Sequence, residues 1–246
     1  MKMNLTYETE FALRAGDTDF TGGWRPASVF LAMQEAAEKH AEMIGVGFDK
    51  LRERDCAWVL ARACAVIDKY PQMDDIVRLR TWPAKIRHMI FPRYFEFENQ
   101  DGELIGSAST AWVIMKMSER RMVSDSSELG VAVPENFDRP APLPMPGTVR
   151  RVEGVTLRSE RRAVYSDIDV NGHVNNTRYI DWLCDCVSLE AHAKHRIKKI
   201  TVNYNAEVLA GTNVELEFAA NDGAFSFCGT SGGRNSFAIC GELCPR

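Results

Sequence analysis

The sequence predicts an α+β fold in which two like halves each wrap a curved antiparallel sheet around a central helix. Two observations carry this expectation: a segment that recurs at a fixed offset, and a helical hydrophobic period that gives way to strand hairpins after each copy. Asp17-Thr18-Asp19-Phe20-Thr21-Gly22-Gly23 aligns without a gap on Asp167-Ile168-Asp169-Val170-Asn171-Gly172-His173, 150 residues on from Asp19 to Asp169.

The first copy opens with a short strand, Thr9 to Arg14, and passes through the acidic loop into a helix over Ala27 to Ile44. There Phe30, Met33, Ala37, Ala41 and Ile44 share one stripe, and Ser28 is the expected N-cap. Strands follow at Ala57 to Asp68, Ile76 to Trp82, Phe91 to Glu98 and Leu104 to Met117, with Asn99-Gln100-Asp101-Gly102 as a hairpin turn. From Val133 to Gly147, Pro134, Pro140, Pro142, Pro144 and Pro146 exclude a helix or central strand and mark a linker. The second copy repeats the order: a strand over Val155 to Val164, then a helix over Thr177 to Ala193. Its stripe is Tyr179, Leu183, Val187 and Ala191, with Asn175 or Asn176 as cap. Its strands are expected at Ile197 to Val208, Val214 to Ala219, Ala224 to Gly229 and Ser236 to Leu243, joined by Asn221-Asp222-Gly223 and Ser231-Gly232-Gly233. A helix with a single apolar stripe, followed by strands in hairpin order, is satisfied by the hot-dog arrangement. A tandem hot-dog is therefore expected, with halves at 1–133 and 148–246 and a linker at 134–147.

Composition bounds the function. The 246 residues are 45% apolar and 26% charged, as in globular proteins, and no run approaches the ~20 apolar residues of a membrane helix. A net charge of -4 argues against nucleic acid as a partner. The opening Met1 to Glu8 reaches acidic residues before any apolar stretch, unlike a secretory or transit peptide. A cytoplasmic protein is expected. The seven cysteines are odd in number and form no Cys-x-x-Cys pair, so they read as reduced thiols. Glu190, His192 and His195 lack a complete ligand set, and Gly229 to Gly233 lacks the Lys of a phosphate loop. Neither a metal nor a cofactor is expected.

The copies differ where chemistry would sit: the second loop has Asn171 and His173 where the first has Thr21 and Gly23. Asp-x-Asn-x-His places a carboxylate, an amide and an imidazole directly before a helix N-terminus. Asp169 would hold His173 or the loop in register. Asn171 and backbone N–H groups around Val174 to Asn176 would stabilise an oxyanion, and His173 would move a proton. The same residue types also serve as ordinary loop and capping residues.

Ser166 to Ile180, with Asp169-Val170-Asn171-Gly172-His173-Val174-Asn175-Asn176 and Tyr179, resembles the most distinctive motif of the acyl-ACP thioesterases of plants and bacteria. The resemblance extends to Gln34-Glu35, Thr81-Trp82 and Ala111-Trp112-Val113. It implies catalytic roles for Asp169, Asn171 and His173, and for a Glu on the strand after the second helix, matched here by Glu207. Plant members carry a Cys after that Glu; here it is Val208. With no Gly-x-Ser-x-Gly elbow either, water is the expected nucleophile, activated by His173 and Glu207.

The resemblance further implies hydrolysis of fatty acyl-ACP, with the acyl chain held largely by the N-terminal half. Phe30, Met33, Trp58, Trp82 and Trp112, with Met43 and Ile114, are the apolar candidates, each also a natural core residue. The partner is an acidic acyl carrier protein, expected to meet basic residues among Lys194 to Lys199, Arg150, Arg151, Arg158, Arg161 and Arg162. An acyl-CoA thioesterase and a non-catalytic acyl-binding protein are the alternatives. Two fused halves allow a monomer as well as a homodimer.

Overall fold

The 150-residue offset reappears as one strand order used twice. The structure, a computed structural model, describes residues 5–130 and 132–246; residues 1–4, used above to argue against a leader, lie outside them. Two units separate between Pro146 and Gly147, with Arg25–Ser28 grouping with the second. In the first, β1 (Tyr7–Ala12), α1 (Pro26–Met43), α2 (Phe48–Arg52), β2 (Cys56–Ile67), β3 (Ile76–Pro83), β4 (Phe91–Asn99), β5 (Leu104–Lys116) and β6 (Arg121–Met122) follow in sequence. Its antiparallel order is β1-β3-β4-β5-β2, with β6 on β5. In the second, β7 (Val155–Arg162), α3 (Arg178–Asp185), α4 (Leu189–Lys194), β8 (His195–Tyr204), β9 (Asn213–Asn221), β10 (Ala224–Ser231) and β11 (Arg234–Pro245) give β7-β9-β10-β11-β8. Strand for strand, the two orders are the same. No described helix is long and apolar enough to cross a membrane.

In the first unit β4 is buried on both faces, which needs a cover on each side. On one face, Arg93 reaches His40 of α1 across 3.0 Å and Thr81 across 3.3 Å, and both partners are fully buried. Burial draws the Arg93 guanidinium down to about 10. The other face carries Trp82 and Tyr94, and the proline-rich segment covers it. Arg139 lies 4.5 Å over the Trp82 ring and pairs with Glu96 at 2.7 Å, while Ser109 donates to the Pro144 carbonyl at 2.8 Å. The segment expected as a linker is thus fastened along the first sheet.

The second unit builds its core on α3. Phe237 stacks on Tyr179 at 4.2 Å and meets Trp182 edge-on at 6.2 Å. Glycine makes room for this ring: a Cβ on Gly229 would overlap the Phe237 ring.

Several boundaries differ from expectation for local reasons. Pro26, whose missing N–H costs nothing at a helix start, opens α1, so Ser28 sits inside its first turn. The second helix breaks after Asp185 and restarts at Leu189, where the Ser188 hydroxyl accepts from Ala191 N–H and caps α4. Thr177 occupies the N-cap of α3, while the Asn175 side chain accepts from Thr177 N–H at 2.9 Å. Strand β8 ends at Tyr204, which leaves Glu207 on a loop rather than on the strand.

Candidate active site

The two loops share one hydrogen-bond frame. In the second, Asp169 N–H donates to the His173 carbonyl (2.9 Å), Gly172 N–H to the Asp169 carbonyl (3.0 Å) and Asn171 N–H to the Asp169 carboxylate (2.8 Å). In the first, Asp19, Gly22 and Thr21 make the same three bonds at 2.9, 2.9 and 2.8 Å, the first to the Gly23 carbonyl. Gly22 and Gly172 both hold φ at +79°, the left-handed region where a side chain is strained. A Cβ on Gly172 would meet nothing within 4 Å, so only the backbone resists it. Gly172→Ala is therefore expected to cost about 1 kcal/mol, measured by denaturant unfolding; a cost near zero would show that the turn can relax.

The frame also fixes which residues correspond. Trp24 N–H donates to the Pro71 carbonyl as Val174 N–H donates to the Val208 carbonyl, so Tyr70 stands where Glu207 stands. The first loop therefore presents Gly23 and Tyr70. The second presents His173 and Glu207, whose Nε2 and Oε2 lie 3.4 Å apart. Both side chains reach solvent, as water chemistry requires. The contact is long for a hydrogen bond, and such contacts commonly tighten when substrate binds.

The Asp169 carboxylate accepts from Asn171 N–H within the loop. Asn171 is exposed, and its backbone N–H is the one given to the Asp169 carboxylate. The anticipated backbone donors are reduced, because Val174 N–H is tied to the Val208 carbonyl and Asn175 N–H to the Asp167 carbonyl, both at 2.8 Å. Asn176 N–H is the one of the three left without such a bond among the described residues.

Two residues were not singled out from sequence. Tyr179 lies close enough to Asp169 and Glu207 to feel their charge: burial first, and then these two carboxylates, push its phenol well above the usual tyrosine range. It therefore remains a neutral O–H beside the site. Asp167, 2% exposed, accepts from Val164 N–H at 2.9 Å and from Trp182 Nε1 at 3.0 Å, tying the loop to α3. The repeat itself was the signal for Asp167, and the motif for Tyr179.

The apolar candidates divide. Phe30 and Met33 are buried on α1. Trp58 and Trp112, with centroids 6.5 Å apart, are partly buried on a cluster of Leu51, Phe91 and Ile114. They share the sheet face of Phe91 and Arg93, where α1 lies. Trp82 is on the opposite face under Arg139, apart from the other four. Met43 is exposed. Glu190 pairs with Lys194 and His192 contacts the Cys184 carbonyl; no group of three or more potential ligands stands together among the described residues.

Residues 4–130 match the family model of the acyl-ACP thioesterase N-terminal domain, and residues 153–231 match that of the C-terminal domain. The chain belongs to the acyl-ACP thioesterase family. A chloroplastic palmitoyl-acyl carrier protein thioesterase of Arabidopsis thaliana is 28% identical over 218 residues, covering 82% of this chain and 52% of the relative. Oleoyl-acyl carrier protein thioesterase 1 of the same plant is 27% identical over 223 residues, covering 82% and 60%. The chain thus spans about half the length of the curated relatives it matches. Among solved structures, an acyl-ACP thioesterase from Bacteroides thetaiotaomicron aligns over 98% of both chains with TM-score 0.87 and 23% identity. The 12:0-ACP thioesterase of Umbellularia californica aligns over 99% of this chain and 98% of its own, with TM-score 0.84 and 22% identity. These acyl-ACP thioesterases share the double hot-dog fold of the present chain.

Proposed function

We propose that this family member hydrolyses the thioester of fatty acyl-ACP, releasing fatty acid and carrier thiol, with water as nucleophile. The observation that carries the reading is the His173–Glu207 pair at 3.4 Å, set on a frame that the first unit repeats without either residue. His173, backed by the Glu207 carboxylate, takes the proton of a water as its oxygen attacks the thioester carbonyl. The side-chain amide of Asn171 and the N–H of Asn176 are the donors for the resulting oxyanion. Collapse breaks the C–S bond, and the imidazolium returns its proton to the departing sulfur. Asp169 holds the loop, and Tyr179 stands beside the two carboxylates as a neutral phenol. Phe30, Met33, Trp58 and Trp112 in the first unit are assigned to the acyl chain.

A panel of acyl-ACPs of graded chain length tests the reading directly. Glu207→Gln is expected to lower kcat about 100-fold on the best of them. Undiminished turnover would remove Glu207 from the mechanism. Coenzyme A esters turned over as well as ACP esters would make the protein an acyl-CoA thioesterase, and acyl binding without turnover would make it a lipid-binding protein.

A further inference from the structure

The basic run Lys194 to Lys199 stands out in sequence, but the structure sets it at the start of β8. Six residues of strand, about 20 Å, separate Lys198 from Tyr204, with Glu207 farther on. Part of its charge is already used: Lys194 pairs with Glu190 at 2.6 Å and Lys199 lies 3.6 Å from Glu242. Arg158 and Arg151 both pair with Glu217, and Arg161 pairs with Asp185.

The edge of the catalytic loop is different. Tyr165 is 97% exposed, Val170 wholly so, Leu209 54% and Val164 48%, an unusual density of apolar surface on one rim. Backbone bonds join the segments that carry them: Leu209 bridges to His173, Thr212 N–H donates to the Leu209 carbonyl, and Gly211 N–H donates to the carbonyl of Ala163, which precedes Val164. Arg162 stands at the same rim, its guanidinium 3.6 Å from where a Cβ on Gly211 would lie. It is exposed and makes no ion pair among the described residues.

We propose that Val164, Tyr165, Val170 and Leu209, with Arg162, form the docking surface for an acidic carrier protein, which delivers its thioester to His173 and Glu207. This rests on the hydrolase reading above. The chain's own net charge of -4 repels an acidic partner at long range, so an unneutralised cation beside the site is what gives the encounter its orientation. The exposed apolar rim supplies the contact that charge alone does not.

The test is steady-state hydrolysis of one acyl group presented on ACP and on pantetheine, for wild type, Arg162→Glu, Tyr165→Ser and the double variant Lys198→Glu/Lys199→Glu. Thermal unfolding of each establishes that it is folded. Arg162→Glu and Tyr165→Ser are expected to raise KM for acyl-ACP about tenfold and to leave KM for acyl-pantetheine within twofold, with the Arg162 effect shrinking as salt is added. The lysine pair is expected to change neither. Equal effects on the two substrates, or a larger ACP effect from the lysine pair than from Arg162→Glu, would overturn the assignment. A wild-type protein that turns over neither substrate would remove the hydrolase reading and this surface with it.

Discussion

His173→Ala is expected to lower kcat on acyl-ACP by roughly 10²- to 10⁴-fold, the range for losing a positioned acid–base group, while leaving thermal stability close to wild type. The second half of that expectation comes from the repeat. Gly23 occupies the equivalent place in the first loop, and Asp19 N–H still reaches its carbonyl at 2.9 Å, as Asp169 N–H reaches that of His173. The imidazole is therefore not needed to form the turn. Kinetics on a single acyl-ACP, paired with a melting curve, would check both halves. Turnover within twofold of wild type in a folded variant would end the assignment of His173 as the proton carrier.

Asp167→Ala is expected to have the largest effect on stability, about 3 kcal/mol. The carboxylate is buried and satisfies two donors, Val164 N–H and the Trp182 indole N–H, and each donor left unpaired in the interior costs about 1–3 kcal/mol. Arg161, 3.7 Å from the carboxylate, keeps Asp185 and so adds little. For a unit of this size the loss corresponds to a fall in melting temperature of roughly 10 °C or more. Asp167→Asn retains an acceptor and should recover much of it. The contrast with the first loop sharpens the test: Asp17 accepts from Arg14 N–H at 2.9 Å but is only partly buried, so the same truncation there should cost about 1 kcal/mol. Equal losses at the two positions would mean that burial and the indole bond contribute nothing.

The features legible in sequence were those written in local pattern. The stripe of Phe30, Met33 and Ala37 marked α1, and Asn221-Asp222-Gly223 marked a hairpin, where Asp222 and Gly223 both take positive φ. The loop was legible because two aspartates and one glycine recur in register. What the sequence could not show depends on contacts distant along the chain. Trp82 looked like the other tryptophans, yet which sheet face it occupies is decided by its strand register and by Arg139, 57 positions later. The break after Asp185 escaped because Val187 and Ala191 continue the helical period through it. The occupation of Val174 and Asn175 N–H could not be foreseen either, since their acceptors, the carbonyls of Val208 and Asp167, are fixed only once the loop is folded.

The duplicated loop bears on how this protein can be handled. Because the first unit assembles the same turn with Thr21, Gly23 and Tyr70, the side chains proposed to react in the second, His173 and Glu207, are passengers on a scaffold that closes without them. Silenced forms should therefore be sturdy. They would be suited to capturing an uncleaved acyl carrier for crystallisation, with the chemistry switched off and the shape retained.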